Sequence, residues 1–202
     1  MDLFSTPGPV NILPADGEAI YYGQLISEPA AGRYLAGLLE HTAWKNDEAV
    51  IYGKHYVTKR KVAWYGDQAF SYTYSNTTKE AELWTPELLE LKLQVEQRCK
   101  VSFNSCLLNL YHNGEEGMGW HSDSERELGR ETVIASLSFG AARKFSFKHK
   151  VSRATVSLVL ESGSLLVMKG STQQHWLHSL PKTVKVTRPR INLTFRTILS
   201  YG

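Results

Sequence analysis

The apolar positions of this 202-residue chain follow two rhythms. In two early segments they recur every three or four residues, as on a helix, while elsewhere they alternate or form short runs, as in strands. Ser27-Glu28-Pro29 opens the first helix, with Tyr34, Leu35, Leu38 and Leu39 on one face. Thr85 caps the second, Pro86 fits its first position, and Leu88, Leu91, Val95 and Cys99 form its stripe. Between the helices lie three β-rich stretches: Ala49–Gly53, Val62–Gly66 and Phe70–Tyr74. From Phe103 onward strand signals come in close succession, separated by glycine and polar turns. They are Cys106–Tyr111, Val133–Phe139, Lys144–Lys148, Thr155–Leu160, Ser164–Met168, Thr183–Val186 and Ile191–Ile198. Residues 1–20 contain Pro7, Gly8, Pro9 and Pro14 without a period, and read as an extended N-terminal lead-in. Many short strands with two early helices predict a mainly β fold with flanking helices, a double-sheet jelly roll. One domain is expected over residues 21–202, with helices and hairpins in 21–100 and the jelly-roll core in 101–202.

Composition narrows this reading. A hydrophobic fraction of 42% is too high for a disordered chain. No apolar run approaches the roughly 18 residues of a membrane helix. The first residues, Met1 to Pro7, lack the basic and apolar regions of a signal peptide, so an intracellular protein without membrane contact is expected. Cys99 and Cys106 are too few for a disulfide scaffold or a cysteine zinc site, and read as free thiols in a reducing compartment. The net charge of +3 conceals an asymmetry. From Ala141 to Gly202 there are eleven basic residues and one acid, Glu161, which points to a polyanionic partner. Within that segment Lys144, Lys148 and Lys150 fall at period two, so one strand face would offer three cations to phosphates.

Three constellations carry chemistry. In extended backbone His121 and Asp123 project to one side and can share a metal. His175 and His178 follow in Gln174–Pro181, and either supplies a third ligand. Two histidines and one carboxylate leave an octahedral iron open on one face, the arrangement of non-haem Fe(II) oxygenases. Near the C-terminus, Arg190, Asn192, Thr194 and Arg196 share one face of a strand, with Ile191, Leu193 and Phe195 on the other. Two cations on a shielded face require an anion, and a dicarboxylate beside the metal satisfies them. Asn109 and Tyr111 share a face of another strand, offering an amide and a phenol to the same carboxylate.

The ordered set Asn109-x-Tyr111, His121-x-Asp123, His178 and Arg190-x-Asn192-x-Thr194-x-Arg196 resembles the AlkB family of Fe(II)- and 2-oxoglutarate-dependent dioxygenases. The resemblance runs from about Val50 to Ile198. Within it, Ile134–Gly140 and Gly163–Met168 look like the branch acting on alkylated double-stranded DNA. It implies a double-stranded β-helix, iron held by His121, Asp123 and His178, and 2-oxoglutarate and O2 as co-substrates. The position directly before Ser179-Leu180-Pro181 favours His178 over His175. Arg190, Tyr111 and Asn109 would hold the distal carboxylate of 2-oxoglutarate, with Asn192 on the same face. Thr194 and Arg196 would lie along the rest of the molecule. Tyr72, Tyr74 and Glu125 stand at the family's base-recognition positions, and the hairpins of residues 21–100 would handle the nucleotide.

Val50-Ile51-Tyr52-Gly53-Lys54 resembles a hairpin that inserts an aromatic finger into the duplex, here Tyr52 where the branch carries Phe. Gly53 would permit its turn, and Lys54, Arg60 and Lys61 would grip phosphates. The implied activity is DNA repair by oxidative demethylation, removing N-alkyl groups such as those of 1-methyladenine and 3-methylcytosine with release of formaldehyde and succinate. The expected protein is a monomer acting on alkylated duplex DNA, cytoplasmic in a bacterium or nuclear in a eukaryote. The rivals are an RNA or single-strand demethylase of the same chemistry, and a non-catalytic module that binds methylated nucleic acid.

Overall fold

The computed structural model describes residues 10–51, 54–74, 77–129 and 131–199, with side chains at all of these except 49–51, 54–56, 71–74, 77–79 and 126. In chain order the first elements are β1 (Glu18–Gln24), α1 (Glu28–His41), β2 (Lys45–Ile51), β3 (Lys54–Gly66), β4 (Ser71–Tyr74), β5 (Thr77–Glu80), β6 (Glu82–Leu83) and α2 (Pro86–Cys99). They are followed by β7 (Ser105–Tyr111), β8 (Met118–His121), β9 (Ile134–Gly140), β10 (Arg143–His149), β11 (Thr155–Leu160), β12 (Ser164–Lys169), α3 (Thr172–His175), β13 (Trp176–Leu180) and β14 (Arg190–Arg196).

Two sheets, antiparallel except for the pairing of β6 with β3, face each other. The major sheet runs β1-β12-β9-β14-β7-β3-β2, with β6 alongside β3, and the minor sheet runs β11-β10-β13-β8. β4 and β5 form a separate two-stranded ribbon. This is the jelly roll that the strand pattern predicts. Alternation then assigns the faces. Leu108, Leu110, Ile191, Leu193, Phe195, Leu137 and Phe139 turn outward from the major sheet against Ala31 and Leu38 of α1 and Leu88, Leu91 and Val95 of α2. Burying each large side chain contributes about 1.5–3 kcal/mol, so this outer core carries the helices. A second core closes one end between the sheets, where Ile134, Leu166 and Met168 meet Phe147, Leu160 and Trp176. The opposite face of β7 and β14 is left for polar groups.

Both helices stand where the sequence places them. The Thr85 hydroxyl accepts from the Leu88 amide at 3.2 Å, and Pro86 opens α2. Cys99 is only half-buried, and Leu39 of α1 is exposed while Ala31 takes its place in the core. Both cysteines are free thiols. Five strands lie outside the predicted stretches: β1 begins at Glu18, inside the predicted lead-in, and β5, β6, β8 and β13 are short pieces that the pattern does not single out. Thr183–Val186 forms no strand. Its backbone bonds to one glycine instead, Thr183 N donating to Gly114 O and Gly114 N to Val186 O. A side chain at Gly114 would collide with the Thr183 carbonyl. Among the described residues no helix is long and apolar enough to cross a membrane.

Candidate metal centre and co-substrate pocket

β8 is the edge strand of the minor sheet and ends on His121, which stands opposite His178 of β13. Their ring centroids lie 4.2 Å apart. Asp123 follows beyond the end of β8, and its carboxylate reaches 3.9 Å from His121 Nε2 and 4.0 Å from His178 Nε2. Donor atoms of the three residues all lie within 4.8 Å of one another. His121 Nδ1 sits 2.9 Å from the Gly119 carbonyl, which assigns its proton to Nδ1 and leaves the Nε2 lone pair for a metal. Burial pushes the His178 pKa down to about 4 against the pull of Asp123, so this imidazole is neutral at physiological pH. Burial alone would raise the Asp123 carboxyl, but Arg196, 3.0 Å away, and the two imidazoles hold it below its usual range. Two imidazoles and an ionised carboxylate suit a divalent first-row metal such as Fe(II).

The facing wall is β14. Arg190 is buried and lies over the Tyr111 ring at 5.7 Å. Its Nη2 donates to Ser138 Oγ and Asn192 Oδ1, both at 2.9 Å, while Nε has no partner. Among the described residues no carboxylate pairs with it. Burial lowers its pKa to about 10, which still leaves a cation at neutral pH. An uncompensated buried charge costs several kcal/mol, so the pocket is built to receive an anion. Asn192 Nδ2 donates onward to Thr194 Oγ1 at 2.9 Å, and the face ends at Arg196 on Asp123 of the His-Asp-His cluster. One strand thus joins an anion-seeking end to the metal end. The unpartnered Arg190 Nε and the donor set together fit a carboxylate co-substrate beside a metal.

A cavity of about 250 Å³ collects these groups. His121, Asp123 and His178 line it, as do all four polar residues of β14 together with Asn109 and Tyr111. Glu125, an exposed side chain, lines it as well. A larger cavity of about 410 Å³, between α1 and α2, is lined by no histidine and no buried cation. His175 closes α3 and stacks on His149 at 6.2 Å, outside the metal cluster.

The nucleic-acid positions are more scattered. Tyr52 and Gly53 lie outside the described residues, and Lys54 opens β3. Tyr72 and Tyr74 fall in β4, and their side chains lie outside the described ones. Arg60 does not grip phosphates. It is buried and donates to Asn109 Oδ1 and Asp47 Oδ2, with Tyr111 6.0 Å below, so it belongs to the pocket wall. Lys61 takes the other face of β3. Lys144 and Lys148 do share the outer face of β10, Lys148 lying 4.3 Å over Trp120. Lys150 is not on that face. β10 ends at His149, and Lys150 Nζ turns to Ser122 Oγ and the Gln173 carbonyl.

Four residues escaped the sequence reading: Asp47, Arg60 in its pocket role, Phe145, which stacks on His178 at 5.5 Å, and Gln173. Arg60 could have been found from its alternation with Val62 and Trp64, which the basic run Lys59-Arg60-Lys61 masks.

Comparison with known proteins points to the same class of chemistry. A family described as the 2OG-Fe(II) oxygenase superfamily matches residues 18–196. The alpha-ketoglutarate-dependent dioxygenase alkB homolog 3 of Bos taurus is 43% identical over 173 residues, 80% of this chain and 59% of that protein. The DNA oxidative demethylase ALKBH2 of Homo sapiens is 45% identical over 157 residues, 74% of this chain and 60% of its own length. The Mus musculus ALKBH2 is 38% identical over 198 residues, covering 93% and 83%. The chain thus spans about three fifths of the length of the first relatives it matches. The solved structure of OsALKBH1 superposes with a TM-score of 0.63 at 14% identity, over 89% of this chain and 96% of that one, a likeness of fold.

Proposed function

The chain belongs to the AlkB family of 2OG-Fe(II) oxygenases, and on that premise we propose that it is an oxidative demethylase. Its substrate is DNA carrying N-alkylated bases such as 1-methyladenine and 3-methylcytosine. One observation carries this reading: a buried, anion-seeking Arg190 and the cluster of His121, Asp123 and His178 line the same cavity. When bound there, Fe(II) with 2-oxoglutarate and O2 supplies the oxidising power that hydroxylates the N-alkyl carbon.

The chain's own groups do the rest. His121 Nε2, His178 Nε2 and the Asp123 carboxylate hold the metal, and Arg196 keeps that carboxylate ionised. Arg190 takes the distal carboxylate of 2-oxoglutarate in a charge-assisted bond, with Tyr111 and Asn109 alongside. Phe145 covers the His178 ring and shields it from water. Glu125, exposed and lining the same cavity, offers a negative partner to a cationic methylated base.

The names of the relatives support DNA as the polymer, and the basic C-terminal segment supports a polyanion. A monomer acting on duplex, with Tyr52 as the wedge and Tyr72 and Tyr74 at the base, is part of this proposal. The test is turnover of methylated oligonucleotides, single and double stranded, DNA and RNA. Formaldehyde released in step with succinate, fastest on DNA duplex, is the expected result. Preference for RNA or single strands would overturn the polymer, and succinate without formaldehyde would overturn the demethylase.

A further inference from the structure

Asp123 is a metal ligand without a strand beneath it. β8 stops at His121, so the Asp123 amide has no ladder partner, and a buried amide left unpaired is costly. The side chain of Gln173, itself 5% exposed, supplies the bond, its Oε1 accepting from Asp123 N at 2.9 Å. The backbone of the same residue holds the neighbouring position. The Gln173 carbonyl accepts from Lys150 Nζ at 2.8 Å, and that ammonium reaches Ser122 Oγ at 3.2 Å. Ser122 and Asp123 are therefore tethered to one point on α3. α3 and the start of β13 are in turn latched to the N-terminal part of the chain. Thr172 Oγ1 accepts from the amide of Glu18, which opens β1, at 2.8 Å, and Trp176 Nε1 of β13 donates to Ala15 O at 3.0 Å.

We propose that Gln173 is a positioning residue for the metal, acting through Asp123, with Lys150 as its auxiliary. The inference rests on the metal-binding reading of the site. Partners that orient a metal ligand are worth about 10- to 100-fold in metal affinity. Gln173→Met keeps the volume and loses the acceptor; Gln173→Glu keeps an acceptor oxygen; Lys150→Met releases Ser122 from a half-exposed position.

The experiment is titration of the full chain with Mn(II), together with the visible spectrum of the Co(II) form and the melting temperature without metal. We expect Gln173→Met to weaken Mn(II) binding by about 10- to 100-fold and to change the Co(II) bands, with the metal-free melt little altered. Gln173→Glu should recover most of that affinity, and Lys150→Met should lose a few-fold. Wild-type Mn(II) affinity in Gln173→Met overturns the inference. So does a loss matched by collapse of the metal-free melt while Lys150→Met binds normally, since that marks a packing role. A wild-type chain that binds no Mn(II) instead overturns the reading of the site itself.

Discussion

The two walls of the pocket are made in different ways. The β14 wall is regular: Arg190 to Phe195 pair with β7 on one side and β9 on the other, so the backbone satisfies itself and the side chains stand at period two. The metal wall is improvised. A four-residue edge strand presents His121, a neighbouring strand presents His178, and Asp123 hangs beyond on backbone held by Gln173. A regular wall can be cut one side chain at a time with local consequences. An improvised one depends on residues distant in sequence, and its failures should spread.

Substitutions can break this contrast. The largest effect is expected from Asp123→Ala, which removes a ligand and leaves Arg196 without its buried anion. Titration should show Mn(II) binding lost by more than about 100-fold, beyond the cost of losing an orienting partner. On the other wall, Arg190→Leu should weaken 2-oxoglutarate binding by about 10- to 100-fold, the worth of a hydrogen bond to a charged group at 1.5–3 kcal/mol. Mn(II) affinity should stay as in the wild type, because the metal wall is separate. Arg190→Lys should fall between, since a point charge lacks the planar fork.

Next comes Arg60→Met, which leaves Asn109 and Asp47 without this donor at the join of β3 and β7. A stability loss of about 1–3 kcal/mol is expected. For a domain of this size that is a fall of about 2–4 °C in Tm per kcal/mol, measurable by calorimetry, again with metal affinity intact. The smallest effect belongs to His175→Ala. This ring stacks on His149 outside the cluster, so Mn(II) affinity should change by less than about twofold, within the range of a surface substitution.

The same contrast explains what could be read in the sequence. β14 announced itself because its polar face alternates strictly with its apolar one, and in β7 Asn109 and Tyr111 alternate with Leu108 and Leu110 although Leu107 interrupts the polar face. The caps of α2 were equally legible, since Thr85 and Pro86 act locally. The metal wall was half legible. His-x-Asp was visible, but spacing alone left His175 and His178 equal. The pairing of His178 with His121 separates them, and pairing across strands is not a local property.

Period two misled at Lys150 because a pattern carries no mark where its strand ends. Arg60 was misplaced for the opposite reason, a basic run that looked solvated while one member alternated inward. Gln173 gave no signal, because its role depends on an amide 50 residues away.

The central claim is that one co-substrate spans both walls, its distal carboxylate on Arg190 and its other end at the metal. The most direct test is calorimetric titration of 2-oxoglutarate into wild type and Arg190→Leu, each with and without Mn(II), as a double cycle. The account predicts that metal and Arg190 each strengthen binding in the wild type, and that with either missing the affinity falls by about tenfold or more. Equal affinity in the four samples, or a metal effect with none from Arg190, would place 2-oxoglutarate elsewhere and contradict the account.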